Sequence, residues 1–157
     1  MAPKDEHTWY NKGVSLMNLG EAQHALRCFD IALSINEKYV SAHNNRGAAL
    51  ASLGKHDMAL EAYERSLKID PKNAVAWHNK GRALEFLGRL DEAVPAYDKS
   101  LDYSPKDIDA QRDRRICGEK LDKRIKEEEA AREKRELEED SKVLREASQR
   151  IRPGDIL

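Results

Sequence analysis

The sequence is poor in cysteine and has no long apolar run. Only two cysteines, Cys28 and Cys117, occur in 157 residues, and no apolar stretch is long enough to cross a membrane. The first ten residues also lack the apolar segment of a secretory signal. We therefore expect a cytoplasmic protein with free thiols and without a membrane partner.

A surplus of charge of either sign is also missing. Lys and Arg number 28 and Asp and Glu 29, so the formal net charge is -1. Sequence-independent nucleic-acid binding draws on a basic surplus. We therefore expect no nucleic-acid partner.

Aromatic residues are absent from the last third of the chain. All nine lie before residue 106, whereas residues 106–157 carry 15 basic and 15 acidic side chains. A segment so rich in charge has little apolar surface for a core of its own. The first two thirds must therefore supply the core.

What the first two thirds do contain is an internal repeat, with a period of about 34 residues. Glycine, asparagine, leucine, alanine and aromatic positions all recur with this step. Examples are Gly13, Gly47, Gly81; Gly20, Gly54, Gly88; Asn11, Asn45, Asn79; Leu16, Leu50, Leu84; Ala25, Ala59, Ala93; and Phe29, Tyr63, Tyr97. So many columns with one constant step indicate three repeats.

Each repeat is predicted to be a pair of antiparallel helices. In the third repeat Trp77 and Gly81 share one helical face, and Gly88 provides the left-handed residue that ends this helix. We expect Asp91 to cap the second helix and Pro105 to end it. An amphipathic pair cannot bury its apolar face alone, so the repeats must stack.

Four local expectations accompany this pattern. Trp77 is expected in the core, and Gly81 is expected where two helices approach closely, opposite Ala93. Pro95 should distort its helix slightly without breaking it. The first repeat has Glu37 in the proline position, so its second helix is expected to end differently.

The pattern resembles the tetratricopeptide repeat family, whose signature has an aromatic residue followed by Leu-Gly, Tyr, Ala, Phe and Pro within one repeat. The matching residues are Trp9, Gly13, Ala25, Phe29 in the first repeat, Gly47, Ala59, Tyr63, Pro71 in the second, and Trp77, Gly81, Ala93, Tyr97, Pro105 in the third. His43 stands in the tryptophan position of the second repeat, where we expect a packed core residue. The resemblance covers about residues 6–107, in repeats at about 6–39, 40–73 and 74–107.

The resemblance implies an all-α fold, a right-handed superhelical stack of antiparallel helix pairs. It also implies that the first helices line a concave groove that receives a peptide or helix of another protein. A domain at 1–117, made of three repeats and a capping helix, is followed by a highly charged helical extension at 118–157.

The segment from Asp107 to about Arg152 is predicted to be one long helix, because it is rich in strong helix formers. Ile108, Ala110 and Ile116 are expected to cover the open face of the third repeat, and Gly118 to break or bend the helix. Four pairs place an acid four residues before a base, which favours a helix: Glu119–Lys123, Asp122–Lys126, Glu128–Arg132 and Glu138–Lys142.

Part of this helix is also spaced for pairing with a second helix. Ala130, Leu137, Leu144 and Ile151 recur every seven residues. The partner positions of a coiled-coil seam are poorly filled, because a seam needs two apolar residues per heptad. A solvated charged helix and a homo-oligomer joined through this segment both remain open.

No catalytic or metal site is evident. The five histidines, at 7, 24, 43, 56 and 78, include no pair with the i, i+3 or i, i+4 spacing of a helical metal site. Cys28 beside Phe29 is expected to be a structural thiol. We predict no catalysis, no metal and no cofactor.

The candidate binding residues lie on the predicted first helices. They are Tyr10, Asn11, Val14, Asn44, Asn45, His78, Asn79 and Arg82. The asparagine amides can donate and accept, so they could bracket a peptide backbone, and Arg82 could bind a carboxylate. Alternatively, each asparagine bonds within the stack. The basic row Lys12, Arg46 and Lys80 either flanks the groove or forms a solvated edge.

Relatives that bind chaperone tails are expected to carry a carboxylate clamp. Of its five positions only Asn45 matches here, because Tyr10, Val14, Val75 and Asn79 stand where other residues are needed. We therefore predict an interaction module that binds some other peptide or helix in the groove. The alternative is a self-assembling scaffold that uses the C-terminal helix or the open end of the stack.

Overall fold

The computed structural model describes residues 5–150, and this range is all α-helical. Its seven helices are α1 Glu6–Asn18, α2 Ala22–Ile35, α3 Val40–Ser52, α4 His56–Ile69, α5 Ala74–Phe86, α6 Leu90–Tyr103 and α7 Ile108–Arg150. Helices α1/α2, α3/α4 and α5/α6 form pairs, and each pair packs on the next through α2/α3 and α4/α5. The predicted stack of three helix pairs is confirmed.

The chain divides into two compact units between Gly118 and Glu119. The first contains the three pairs and the start of α7, and the second contains the rest of that helix. No helix in residues 5–150 has the length and hydropathy needed to cross a bilayer.

Each pair is held at the distance set by a glycine that faces an aromatic ring. A Cβ atom placed on Gly47 would lie 2.5 Å from Cε1 of Tyr63, and one on Gly81 would lie 2.8 Å from the ring of Tyr97. Gly13 faces Phe29 in the same way, at 2.6 Å. The glycine column therefore makes room for a buried ring on the second helix, which confirms the close approach expected at Gly81, and the part expected of Ala93 stays a prediction.

Glycine also ends each first helix. Gly88 has φ 73°, in the left-handed region, and the next backbone N–H, of Arg89, donates to the carbonyl of Leu84 at 2.9 Å. The same arrangement recurs at Gly20 and Gly54, as predicted. The turn at Gly88 is short, so α6 already begins at Leu90, and Arg89 is its N-cap residue. The predicted cap at Asp91 is therefore wrong.

The second helices of the first two repeats end alike, so the expectation drawn from Glu37 is wrong. The last helical residues are followed by Asn36 and Asp70, both with extended backbone. The side chain of each accepts the backbone N–H two residues on, at 3.1 and 3.2 Å. These Asx turns define the helix ends whether or not a proline follows. In the third repeat Pro95 lies inside α6, which continues through it.

The tryptophan position tethers α3 and α5 to the turn that precedes each of them. Trp77 Nε1 donates to the carbonyl of Pro71 at 2.8 Å, and His43 Nε2 donates to that of Glu37 at 2.8 Å. His43 is buried, as predicted, whereas Trp77 is half-buried and lies at the edge of the core. The indole therefore anchors a turn, and the expectation of a core tryptophan is wrong.

The start of α7 occupies the position of a fourth first helix. Asp107 accepts the N–H of Ala110 at 3.0 Å, as Asn73 does for Ala76 one repeat earlier. Gln111 Nε2 donates to the carbonyl of Pro105 at 2.7 Å, in the place that the Trp77 bond occupies one repeat earlier.

Burial along α7 corrects one expectation. Ala110 and Cys117 are buried and Ile116 is half-buried, as a cover for the third repeat requires, but Ile108 is 78 % exposed. The helix runs through Gly118 without a break, and a bend at this glycine stays a prediction.

The second unit, from Glu119 onward, is a charged helix. Glu128 and Glu138 were expected to pair with bases one turn later, but they lie 3.7 and 3.9 Å from Arg124 and Lys134, one turn earlier. Leu137 and Leu144 are 69 and 70 % exposed. Pairing of this segment with a second copy stays a prediction, and Ile151 lies outside the described residues.

We predict that Gly47→Ala destabilises the chain by about 1–3 kcal/mol, because the added methyl group would overlap the buried ring of Tyr63. Gly118→Ala is the matched control. It lies in a helix with only Arg114 Nη1 nearby, at 3.6 Å, and should stabilise the chain by about 0.5–1 kcal/mol. Urea unfolding followed by circular dichroism measures both. Equal stability of Gly47→Ala and the wild type would contradict this account of the helix pair.

Candidate functional site

The first helices are joined to one another by hydrogen bonds between side chains. Each bond links a residue to the one 35 positions later. The bonds are Asn45 Nδ2 to Tyr10 Oη at 2.9 Å, Asn79 Nδ2 to Asn44 Oδ1 at 3.1 Å, and His78 Nε2 to Asp113 Oδ2 at 2.9 Å. Five of the eight predicted binding residues therefore take part in the stack itself.

The other three predicted residues stand apart from these bonds. Asn11 is exposed, and Val14 is half-buried and packs against the core. Arg82 is exposed on α5 and forms no ion pair within the part of the chain that the structure describes. Asn79 and Arg82 line one pocket between α3, α4 and α5, and a shared binding role of the eight residues stays a prediction.

The bond between His78 and Asp113 involves an ionised carboxylate. Asp113 is largely buried, which by itself would raise its pKa, but hydrogen bonds from His78 and Arg112 outweigh this and hold the pKa below its usual value of 3.8. The ionised carboxylate therefore ties α5 to the start of α7.

The basic row has a structural role. Lys12 lies over the ring of Trp9, with Nζ 5.3 Å from the ring centroid. Arg46 and Lys80, and Arg114 at the corresponding position of α7, each form an ion pair with an acid sixteen residues earlier, on the second helix of the preceding repeat. The pairs are Arg46–Asp30 at 2.7 Å, Lys80–Glu64 at 2.9 Å and Arg114–Asp98 at 2.8 Å. Arg46 and Lys80 are therefore committed to contacts between repeats.

A pocket of about 250 Å³ opens between α3, α4 and α5. We call it the Phe86 pocket, and its lining includes Ala48, Ala51, Ser52, His56, Arg82 and Phe86. The ring of Phe86 is 69 % exposed and stacks on His56, with ring centroids 4.4 Å apart and planes 4° from parallel.

Tyr63 also lines this pocket. Burial raises the pKa of its phenol to about 12, against a smaller opposite effect of Arg82. The phenol therefore stays protonated at neutral pH and provides no negative charge to offset Arg82.

Sequence reasoning missed His56 and Phe86. A signal for Phe86 exists, because Asn18 and Ser52 occupy the same position in the first two repeats. An aromatic residue in an otherwise polar column breaks the period. His56 likewise differs from the apolar Ala22 and Leu90 of its column, but its stacking depends on a ring thirty residues away, which the column does not show.

Nothing among residues 5–150 brings three or more His, Cys, Asp or Glu side chains together for a metal ion. Cys28 and Cys117 form no disulfide within residues 5–150 and both are buried, and burial raises the pKa of the Cys28 thiol. A thiol that stays protonated is a poor nucleophile.

We expect Asp113→Asn to flatten the acid limb of the stability curve. The Asp113 pKa is lower in the folded chain than in the unfolded chain. Its ionised form therefore stabilises the fold above about pH 4, and this contribution is lost as the pH falls through the lower folded pKa. Urea unfolding across this range should show a shallower slope for Asp113→Asn, with exposed Asp102→Asn as control. An unchanged slope in Asp113→Asn would contradict the assignment.

Solved structures with the same fold include several repeat domains. The Sgt2 TPR domain from Aspergillus fumigatus has a TM-score of 0.75 and 24 % identity, over 77 % of this chain and 82 % of that one. The first TPR of Spaghetti (RPAP3), bound to the HSP90 peptide SRMEEVD, has a TM-score of 0.73 and 20 % identity, over 77 % and 98 %. MamA protein has a TM-score of 0.61 and 32 % identity, over 66 % and 56 %.

Sequence comparisons agree with this fold. No curated protein matches the chain significantly in sequence. Models of the tetratricopeptide repeat match residues 6–39, 40–73 and 62–94. With its three sequence repeats and its stacked helix pairs, the chain belongs to the tetratricopeptide repeat family.

Proposed function

We propose that the chain is a protein-interaction module that binds a peptide or helix of another protein on the face formed by α1, α3 and α5. The observation that carries this proposal is the Phe86 pocket, which combines an exposed aromatic ring with Arg82, a cation that has no ion pair among residues 5–150. Exposed groups of this kind are typical of binding surfaces.

Peptide binding by structures of the same fold supports the proposal. The first TPR of Spaghetti was solved with an HSP90 peptide, and the second TPR domain of human RPAP3 with an HSP70 peptide. These relatives are 20 % identical to this chain. Their ligands therefore suggest the kind of partner, a peptide, and not its sequence.

The bonds between first helices support binding to a preformed surface. Asn45 and Asn79 are each bonded to the preceding first helix, and His78 is bonded to Asp113. Side chains that are already ordered lose little entropy when a ligand arrives. The proposed role of the asparagines is thus to hold the surface in shape.

The proposed ligand differs from a chaperone tail. In the clamp expected from the family, Tyr10 and Val14 would have to be a base and an amide, and Val75 a base. The one matching residue, Asn45, already donates to Tyr10. We therefore propose a ligand whose main contact is not a C-terminal carboxylate.

The proposal is tested by substitutions that introduce a charged side chain on the face formed by α1, α3 and α5. Peptides are first selected with the full chain from a randomised library, and their affinities are then measured by fluorescence polarisation. We expect Ala48→Glu, alone and with Val14→Glu, to weaken binding at least tenfold, or about 1.4 kcal/mol, because both side chains lie on first helices. Ala48→Glu alone carries the test if Val14→Glu lowers stability.

The control is Arg27→Glu on the second helix α2. It places in the first repeat the acid that the second repeat has at Glu61, so the fold should tolerate it. Binding should stay within about twofold of the wild type, well below the tenfold step of about 1.4 kcal/mol. Blocked variants that bind as tightly as this control would move the site away from the first helices.

A further inference from the structure

We propose that the Phe86 pocket is an anchor site for one aromatic side chain of the partner, flanked by an aspartate or glutamate that pairs with Arg82. This inference rests on the proposed function and specifies the ligand of the same face. It follows from three features of the pocket: its floor, its aromatic wall and its charge.

The floor of the pocket is formed by the small side chains of the middle repeat. Ala48, Ala51 and Ser52 lie on α3, at the centre of the stack. The corresponding residues are Val14, Met17, Asn18 in the first repeat and Arg82, Glu85, Phe86 in the third. A recess therefore lies between two repeats with larger side chains, and a large side chain of a ligand fits there better than an extended backbone does.

The aromatic wall of the pocket is the ring of Phe86, and His56 holds this ring in its orientation. One face of Phe86 stacks on His56 at 4.4 Å, while 69 % of the residue remains exposed. The Nδ1 atom of His56 is buried and has no hydrogen-bond partner in the described range 5–150. An aromatic ligand would cover the open part of Phe86.

Arg82 gives the pocket its charge. It is the one charged side chain among the described residues that line the pocket. Arg46 and Lys80, the other bases on α3 and α5, are held by Asp30 and Glu64. A guanidinium binds a carboxylate through two parallel hydrogen bonds and also stacks on aromatic planes.

Charge complementarity therefore selects a peptide that carries an acid close to its aromatic residue. The acid must lie within about two residues of the aromatic, because an extended chain advances about 3.3 Å per residue. A peptide with the aromatic residue alone would leave Arg82 unpaired, and a basic peptide would be repelled.

The experiment compares peptide selections on four full-length chains: wild type, Arg82→Glu, Phe86→Ser and Arg65→Glu. The serine is the residue of the second repeat at this position, Ser52. Arg65→Glu makes the same charge reversal on an exposed position of α4. Selected peptides are sequenced and compared with the unselected library, and the leading peptides are titrated against each variant.

We expect wild-type and Arg65→Glu chains to enrich an aromatic residue with a nearby Asp or Glu. Arg82→Glu should replace the acid by Lys or Arg and weaken the wild-type peptides at least tenfold. Phe86→Ser should lose the aromatic preference. Urea unfolding verifies that each variant is folded.

Three outcomes overturn the proposal. Peptides that bind the face defined by Ala48→Glu but lack the aromatic and acidic pair would refute the anchor and leave the proposed function intact. An acid preference that survives in Arg82→Glu would place the charge contact elsewhere. If no peptide is enriched on any chain, the proposed function and the anchor site fail together.

Discussion

The contact between a glycine of each first helix and an aromatic ring of its second helix is the constraint on which the stack depends. Gly13, Gly47 and Gly81 each leave less than 3 Å between a potential Cβ atom and a ring carbon. The rings fill the interior of the pairs, so the two backbones meet at one distance in every repeat. At the fourth position of this column stands Arg115, and there the chain continues as α7 without forming another pair.

Because every pair has the same contact between a glycine and a ring, side chains can join the pairs with constant offsets in sequence. Amide and histidine bonds link each first helix to the next across the same separation in sequence. Ion pairs link each second helix to the following first helix, again at one fixed separation. These bonds use polar residues that a reading of single helices would assign to a ligand. The Phe86 pocket differs because its aromatic ring and its cation do not repeat.

The sequence was sufficient for the features that depend on local spacing. The period predicted the helix pairs, the left-handed glycines and the burial of His43, because each follows from residues within one repeat. The predicted helix starts were less accurate. The turn at Gly88 places the first residue of α6 at Leu90, so Asp91 lies inside the helix and cannot cap it. The prediction that Trp77 lies in the core was wrong because its indole N–H needs a hydrogen-bond acceptor. The carbonyl of Pro71, near the surface, is that acceptor.

The binding residues were harder to predict, because their roles depend on contacts between repeats. Asn79 bonds to Asn44, which is one position out of register with the repeat, so no column of the repeat displays the pair. The stacking of His56 on Phe86 likewise joins two columns and occurs in one repeat only. Only the packed helices show that Asn44, Asn45 and Asn79 are hydrogen-bonded between repeats. They also show that Arg82 has no ion pair within residues 5–150.

The central claim is that a ligand contacts the Phe86 pocket while the bonds between repeats stay intact. NMR spectroscopy of the full chain, titrated with a selected peptide, tests it most directly. The account predicts large shift changes for the Arg82 Nε–H group and the rings of His56 and Phe86. It predicts little change at the Arg46 Nε–H group, which is paired with Asp30. Changes confined to the second helices α2 and α6, with unchanged signals of Arg82, His56 and Phe86, would contradict it.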